Sequence, residues 1–325
     1  MTLQPRYVGA ILAAGRGSRM GETARRVPKP TMLVGDAPVI AHQVRAMEAV
    51  GIHTVFVVVA EGTKGVIRAA VEPHCPEMEI HYVEQTQALG SANAVGRLAG
   101  LFDDAFVLLL GDYYVEDSQQ VLERMLAAAQ GVGGSSTLAK DEPNARFLRE
   151  ACAIEADEDG RVIRIVEKPV RPATRLKGCG YYVLQPEFFD AVRCTPRTAL
   201  RDEYELTHAL DLFVQRGNPV AVVETDSRDT NLTRPADVLQ CNLEWLKRRG
   251  LDSYVAPGVE LPTGVRLDRC VIGSGVRIHD VTEMREVVAF AGSVRCGPSS
   301  IDRALLFEGE LVPTDGTSTS GSAAS

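Results

Sequence analysis

The chain has 325 residues, 45% hydrophobic and 24% charged, an ordinary globular composition with room for one large domain and a smaller one. Its formal net charge of -8 argues against a nucleic-acid-binding surface. The longest early apolar run, Val8 to Ala14, is too short for a membrane span and has no signal-peptide flank, so a cytoplasmic protein is expected. Seven scattered cysteines without a Cys-x-x-Cys pair fit reduced thiols better than a disulfide framework or zinc site.

In chain order, Tyr7–Leu12 reads as a strand and Val39–Val50 as a helix. The apolar run Thr54–Val59 is a strand, Gly65–Val71 a helix and Glu79–Val83 a strand. A helix over Ser91–Leu98, a buried strand over Ala105–Leu110 and a long helix over Ser118–Gln130 follow. Uninterrupted apolar strands separated by helices call for a parallel sheet covered on both faces. The expected fold class is therefore α/β, three-layered around a mostly parallel, Rossmann-like sheet. From Ala151 the pattern loosens. Ala153–Glu155, Val162–Val166 and Gly180–Leu184 suit a mixed or antiparallel extension, and helices over Glu203–Gln215 and Pro235–Arg248 come next.

After Arg249 the texture changes. Gly258, Gly275, Gly292 and Gly309 fall 17 residues apart, and "PGVEL", "SGVRI" and "FEGELV" each set a glycine before alternating apolar residues. A fixed period of short strand-and-turn units signals a solenoid, here near three hexapeptide steps per coil of a left-handed β-helix. The expected domains are 1–249, then 250–312 as a short β-helix, with a small polar, disordered tail at 313–325. So small a solenoid has more apolar residues than its own interior needs, which points to a homo-oligomer formed through or near it.

The chemistry turns on "LAAGRGSRMGETARRVPKP", Leu12 to Pro30. Gly15-x-Gly17-x-x-x-Gly21 is close to a dinucleotide fingerprint, and Asp36 lies 19 residues after Gly17. Pro28 and Pro30, however, leave no room for the helix and strand that a dinucleotide fold places there. Instead Arg16, Arg19, Arg25, Arg26 and Lys29 put five cations within fourteen residues. Backbone amides at a helix start suffice for a pyrophosphate bridge, whereas a triphosphate about to lose pyrophosphate needs several cations. The loop reads as a triphosphate grip.

This opening, followed in order by "EQTQALGSANAV", "LLLGDYY", "VEKP", "GYYVL", "YELTHAL" and "NLTRPADVLQCN", resembles the sugar-1-phosphate nucleotidyltransferases over roughly residues 7 to 245. The resemblance implies transfer of a nucleotidyl group from a nucleoside triphosphate to a sugar 1-phosphate, with Mg2+ as cofactor. Arg19 and Lys29 match the residues that grip the triphosphate and stabilise departing pyrophosphate. Leu12, Ala13, Ala14, Gly15 and Gly17 match the nucleotide loop, and Gln85, Gly90 and Ser91 the base-reading elements. An amide at Gln85 leans the reading towards dTTP or UTP, with GTP as an alternative. Glu167 and Lys168, with Gly180 and Tyr182, match the set that holds the sugar phosphate. Asp112, at the end of the most apolar strand, matches the metal carboxylate. Counting back from Arg234-Pro235 puts neutral Asn231 in the second acidic position. Either Asp229 substitutes for it, or the metal leans on Asp112 and the phosphates. Ala151-Cys152 stand where relatives carry Tyr-Gly, which leaves room for an unusual sugar or a cyclitol phosphate. A catalytically weak regulatory or scaffold homologue is the remaining alternative.

Overall fold

The computed structural model describes residues 6–15, 27–198, 202–296 and 299–314. The chain divides into two compact units: 1–15 with 40–229, and 16–39 with 230–325.

The first unit is built on a nine-stranded sheet. Its strands are β1 (Tyr7–Ala13), β2 (Thr54–Ala60), β3 (Glu79–Gln85), β4 (Ala105–Leu110), β5 (Ser135–Asp141), β6 (Cys152–Ala156), β7 (Val162–Glu167), β8 (Leu176–Leu184) and β9 (Val220–Glu224). The order is β7-β6-β8-β4-β1-β2-β3, with β5 pairing β8 and β9. Strands β4, β1, β2 and β3 run parallel, whereas β8 is antiparallel to β4, β5 and β6. This is the expected parallel core with a mixed extension.

Burial on both faces explains the apolar runs. Ile11, Val55, Val57 and Leu109 pack against α1 (Val39–Ala49), α2 (Lys64–Val71) and α4 (Ser118–Gly131). From the other face Val8, Phe106 and Leu108 meet α3 (Ser91–Gly96), α6 (Phe188–Cys194) and α7 (Leu206–Gln215). A short α5 (Ala145–Glu150) precedes β6 and begins with Asn144, whose side chain accepts from Arg146 N. Strand β5 carries Ser135, Ser136 and Thr137 fully buried, so its polar spelling conceals an interior position.

The second unit joins a small hairpin, Leu33–Val34 with Ala37–Pro38, to α8 (Pro235–Arg249). Buried Asn242 makes the join: it donates to Leu33 O at 2.8 Å and accepts from Gly35 N at 2.7 Å. Helix α8 has Pro at its first turn, Asp237 accepting from Thr233 and Arg234 amides, and Gly250 in the left-handed region beyond its end.

Beyond it lie β10 (Tyr254–Val255), β11 (Arg266–Asp268), β12 (Val271–Ile272), β13 (Arg277–His279), β14 (Glu283–Ala289), β15 (Val294–Cys296), β16 (Ser300–Phe307) and β17 (Glu310–Pro313). Tyr254 pairs with Val271, Val271 with Val288 and Val288 with Leu305, all in parallel. Each step is the same 17 residues that separate the glycines. Strand β17 turns back antiparallel on β16 and covers its edge. The expected tail lies outside the described residues from position 315.

Candidate functional site

The order β3-β2-β1-β4 puts a reversal of winding between β1 and β4. Open α/β sheets bind ligands beyond the carboxyl ends of their strands at such a switch point. Leu12 pairs with Leu110, and Gly111 N donates to Leu12 O at 2.9 Å. The end of β1, continuing as Ala13, Ala14 and Gly15, therefore lies beside the turn that carries Asp112. That turn is held further by Gln43 on α1. Its Nε2 donates to Leu110 O and to Tyr113 O, both at 2.8 Å. Gly180 has φ +70°, and a Cβ there would come within 2.9 Å of the Tyr113 ring and 3.1 Å of Leu110. The glycine lets β8 pass beneath the same turn.

A second group gathers at the end of β3. Gln85 is buried and its Nε2 donates to Gly90 O at 3.1 Å and Asn93 Oδ1 at 2.9 Å. A carbonyl can only accept, so the nitrogen must face Gly90 and the amide keeps Oε1 as its remaining acceptor. Gly90 sits at φ +108°, and a Cβ would strike Tyr204 O at 2.5 Å. The close approach is used on either side: Tyr204 N donates to Leu89 O and Ala92 N to Tyr204 O, each at 2.8 Å. Ser91 Oγ accepts from Leu206 N at 2.9 Å.

The third group lies where β7 meets β6. Glu167 is the cross-strand partner of Cys152. Its Oε2 accepts from Thr207 Oγ1 at 3.2 Å, and Lys168 Nζ stands 3.4 Å from Oε1. Lys168 N donates to Ala151 O at 2.8 Å, which fixes the backbone where the strand ends. Burial, with the Glu167 charge next, pushes the Cys152 thiol up to about 12, so it is a neutral wall. Burial likewise holds the Tyr182 hydroxyl well above its ordinary value.

Asp229 is arranged differently. Lys177 Nζ meets its Oδ2 at 2.6 Å and Lys140 Nζ its Oδ1 at 3.6 Å. Lys177 was not legible as a partner, although a lysine inside the buried strand "LKGCGYYVL" is itself a signal for a hidden anion. Gln43 and Asn93 also escaped the motif reading.

Among the described residues, two expected ones belong to the second unit. Lys29 opens a single 3-10 turn, Lys29–Thr31, behind Pro28, and Met32 N donates to its carbonyl at 3.0 Å. Asn231 is exposed, with its Oδ1 accepting from Thr233 Oγ1 at 3.0 Å. Arg19 and Gly17 lie outside the described residues. Among the described residues no three His, Cys, Asp or Glu side chains converge as a metal cage, and no helix is long and apolar enough to cross a membrane.

Comparison with known proteins agrees in scope with this geometry. The family model "Nucleotidyl transferase" matches residues 8–245. The glucose-1-phosphate thymidylyltransferase of Streptomyces antibioticus is 30% identical over 87% of this chain and 77% of its own length. A UTP–glucose-1-phosphate uridylyltransferase of Haloferax volcanii is 25% identical over 70% of this chain and 91% of its own. A UDP-glucose pyrophosphorylase solved with UDP-glucose superposes with a TM-score of 0.68, at 19% identity, covering 75% of this chain and all of that one.

Proposed function

Because the chain belongs to the nucleotidyl transferase family, we propose that it joins a nucleoside triphosphate to a sugar 1-phosphate, forming a nucleoside-diphosphate sugar and releasing pyrophosphate. The observation that carries this reading is the Gly111–Leu12 hydrogen bond, which sets Asp112 beside the start of the phosphate loop. An acceptor phosphate oxygen attacks the α-phosphorus, and the bond to the bridging oxygen breaks. A phosphate monoester is mostly dianionic at neutral pH, its second pKa being about 6, so the step needs no general base. It needs alignment and neutralisation of charge. Arg19 and Lys29 take the triphosphate and leaving group, and residues 12–15 with Gly17 line its path. Glu167 and Lys168 hold the acceptor, beside Gly180 and Tyr182.

The donor set suits magnesium held by one carboxylate and substrate phosphates. Asp112 supplies that carboxylate. Asp229 does not fit, since each of its oxygens already faces an ammonium group. Asn231 is neutral and exposed, with its side-chain oxygen accepting from Thr233 Oγ1, and is a weaker magnesium ligand than a carboxylate. When bound, the metal neutralises phosphoryl charge.

Gln85, left with an acceptor, suits a base that presents an imide N–H. Uracil and thymine are favoured on this ground, with guanine next. The neutral Cys152 thiol beside Glu167 favours, as a second reading, an unusual sugar or a cyclitol phosphate as acceptor. We assign 1–249 to nucleotidyl transfer and 250–312 to a short left-handed β-helix, supported by the 17-residue parallel register. A cytoplasmic homo-oligomer associating near those coils completes the proposal. Incubation with each of five nucleoside triphosphates and a panel of sugar and cyclitol phosphates, reading pyrophosphate, tests it. Triphosphate binding without turnover on any acceptor would favour a scaffold role instead.

A further inference from the structure

Gln43 is 1% exposed, on a helix whose neighbouring inward residues Ile40, Val44 and Met47 are apolar. A buried amide must justify its desolvation through the hydrogen bonds it makes. Its nitrogen spends both hydrogens on Leu110 O and Tyr113 O. Its Oε1 has no partner of hydrogen-bonding geometry among the described residues. The Tyr181 hydroxyl interacts with the Gln43 side chain and also lies 3.2 Å from Ser118 Oγ. An apolar residue of the same length would fill the space but would leave both carbonyls without these donors. What the amide uniquely supplies is a pair of donors 2.8 Å from two carbonyls three residues apart.

Those carbonyls bracket Gly111-Asp112. The amide of Gly111 is itself held by Leu12 O, and Gly180 leaves no slack below Tyr113. With the peptide fixed on both sides, the point and direction from which the Asp112 side chain leaves the backbone are set. We propose that Gln43 is a positioning residue for Asp112: it touches no substrate, and it sets the direction in which the metal-binding carboxylate is presented. This rests on the reading of Asp112 as the metal ligand given above. The general precedent is that partners behind a ligand orient it and are felt in metal affinity.

The test uses Gln43→Met, which keeps length and removes both donors, and Gln43→Glu, which keeps shape and replaces the donor nitrogen by an acceptor. Each full-length variant is assayed for half-saturating Mg2+, for kcat at saturating Mg2+, for triphosphate affinity without metal, and for melting temperature. Mn2+ binding in the presence of triphosphate, followed by electron paramagnetic resonance, gives a readout independent of turnover. Both variants should weaken Mn2+ binding and raise half-saturating Mg2+ by about ten- to a hundredfold. Triphosphate affinity without metal should stay the same, and excess Mg2+ should recover most of kcat. If metal dependence is unchanged while the melting temperature falls, Gln43 is only a core amide and the proposal is overturned. Should Gln43→Met not fold, Gln43→Glu decides on the same criteria. Should neither fold, the amide is needed for the fold itself and the positioning role is likewise overturned. Asp112→Asn run in parallel separates the two layers: if it leaves Mn2+ binding intact, the metal assignment fails. If it abolishes binding while both Gln43 variants bind normally, only the present inference fails.

Discussion

Lys177 Nζ lies 2.6 Å from Asp229 Oδ2, with the two side chains 14% and 2% exposed. Burial by itself lowers the lysine's pKa, but the Asp229 charge and hydrogen bond outweigh it, and the net shift is upward. A raised lysine pKa contributes stability that is complete below the unfolded value of about 10.4 and is lost as pH climbs through the folded one. The pair is therefore intact throughout the neutral range. An acid two residues from the metal position suggested by sequence is, in space, the anchor of two ammonium groups.

Lys177→Met should destabilise the protein by roughly 3 kcal/mol, the low end for breaking a buried pair, because Lys140 still faces Asp229. Lys177→Met combined with Asp229→Asn should recover most of that loss, since no buried charge is then left without Lys177. Urea denaturation of the single and double variants measures both. A single variant within about 0.5 kcal/mol of the parent would mean the pair is too well solvated to matter.

Asp112→Asn should cut turnover at least a hundredfold (~3 kcal/mol), because neutralising phosphoryl charge is most of this catalysis. The Lys177→Met, Asp229→Asn double variant should keep the parent's Mg2+ dependence. Steady-state rates across a magnesium titration compare the two. Equal losses in both would return Asp229 to the metal site.

Much of this was legible in the sequence, and the physical reason is consistent. Strands such as "TVFVVVA" and "AFVLLL" are buried on both faces, so their spelling leaves no alternative. The period of 17 in the glycines reappears as strand register, with Val271 paired to Val288 and Val288 to Leu305 in parallel. Strand β5, "SSTLAKD", was missed because small hydroxyl residues look like a loop. Inside, Ser136 Oγ donates to Met125 O and Ser135 Oγ accepts from Gln185 N, which offsets the cost of burying these two serines. The motif residues could be named from their order along the chain. Gln43 and Lys177 could not, because each is defined by a partner at least 52 residues away.

Gly90→Ala should damage nucleotide binding and stability together. At φ +108° an alanine is strained by roughly 1–3 kcal/mol, and its Cβ would meet Tyr204 O, which is backbone and cannot swing aside. Shifting that contact would also move Gly90 O, the acceptor that fixes Gln85. Calorimetry with UTP and thermal unfolding are the measurements. A variant with normal stability and normal UTP affinity would show that the loop has another way to close.

Lys168→Ala should act on the acceptor. Losing one charge-assisted hydrogen bond to a phosphate costs roughly 2 kcal/mol, about thirtyfold in acceptor KM, with triphosphate affinity little changed. Kinetics with the preferred acceptor, paired with calorimetry for the triphosphate, separate the two substrates. A fall confined to triphosphate affinity would place Lys168 on the other side of the reaction.

The C-terminal parallel strands carry two charge ladders that differ in burial, and this difference sets the last prediction. Arg269, Glu286 and Arg303 succeed one another at 17-residue intervals, all at left-handed φ of 51°, 49° and 45°. Glu286, only 7% exposed, faces Arg269 at 2.6 Å and Arg303 on the other side. One position earlier, Arg285 grips Asp302 with two bonds of 2.8 Å, but in the open. Glu286→Ala leaves two guanidinium groups facing each other across a vacated, nearly buried position. A loss of about 1–2 kcal/mol is expected once the exposure of both arginines is discounted. Asp302→Asn should change thermal stability much less. Its carboxyl lies below the ordinary value mainly because Arg285 hydrogen-bonds it, so its small contribution exists above the unfolded pKa of about 3.9 and disappears as pH falls through the folded value. Melting curves of both variants at pH 7 and in mild acid test the ranking. An Asp302→Asn loss as large as that of Glu286→Ala would show that geometry, not burial, decides the worth of these ladders.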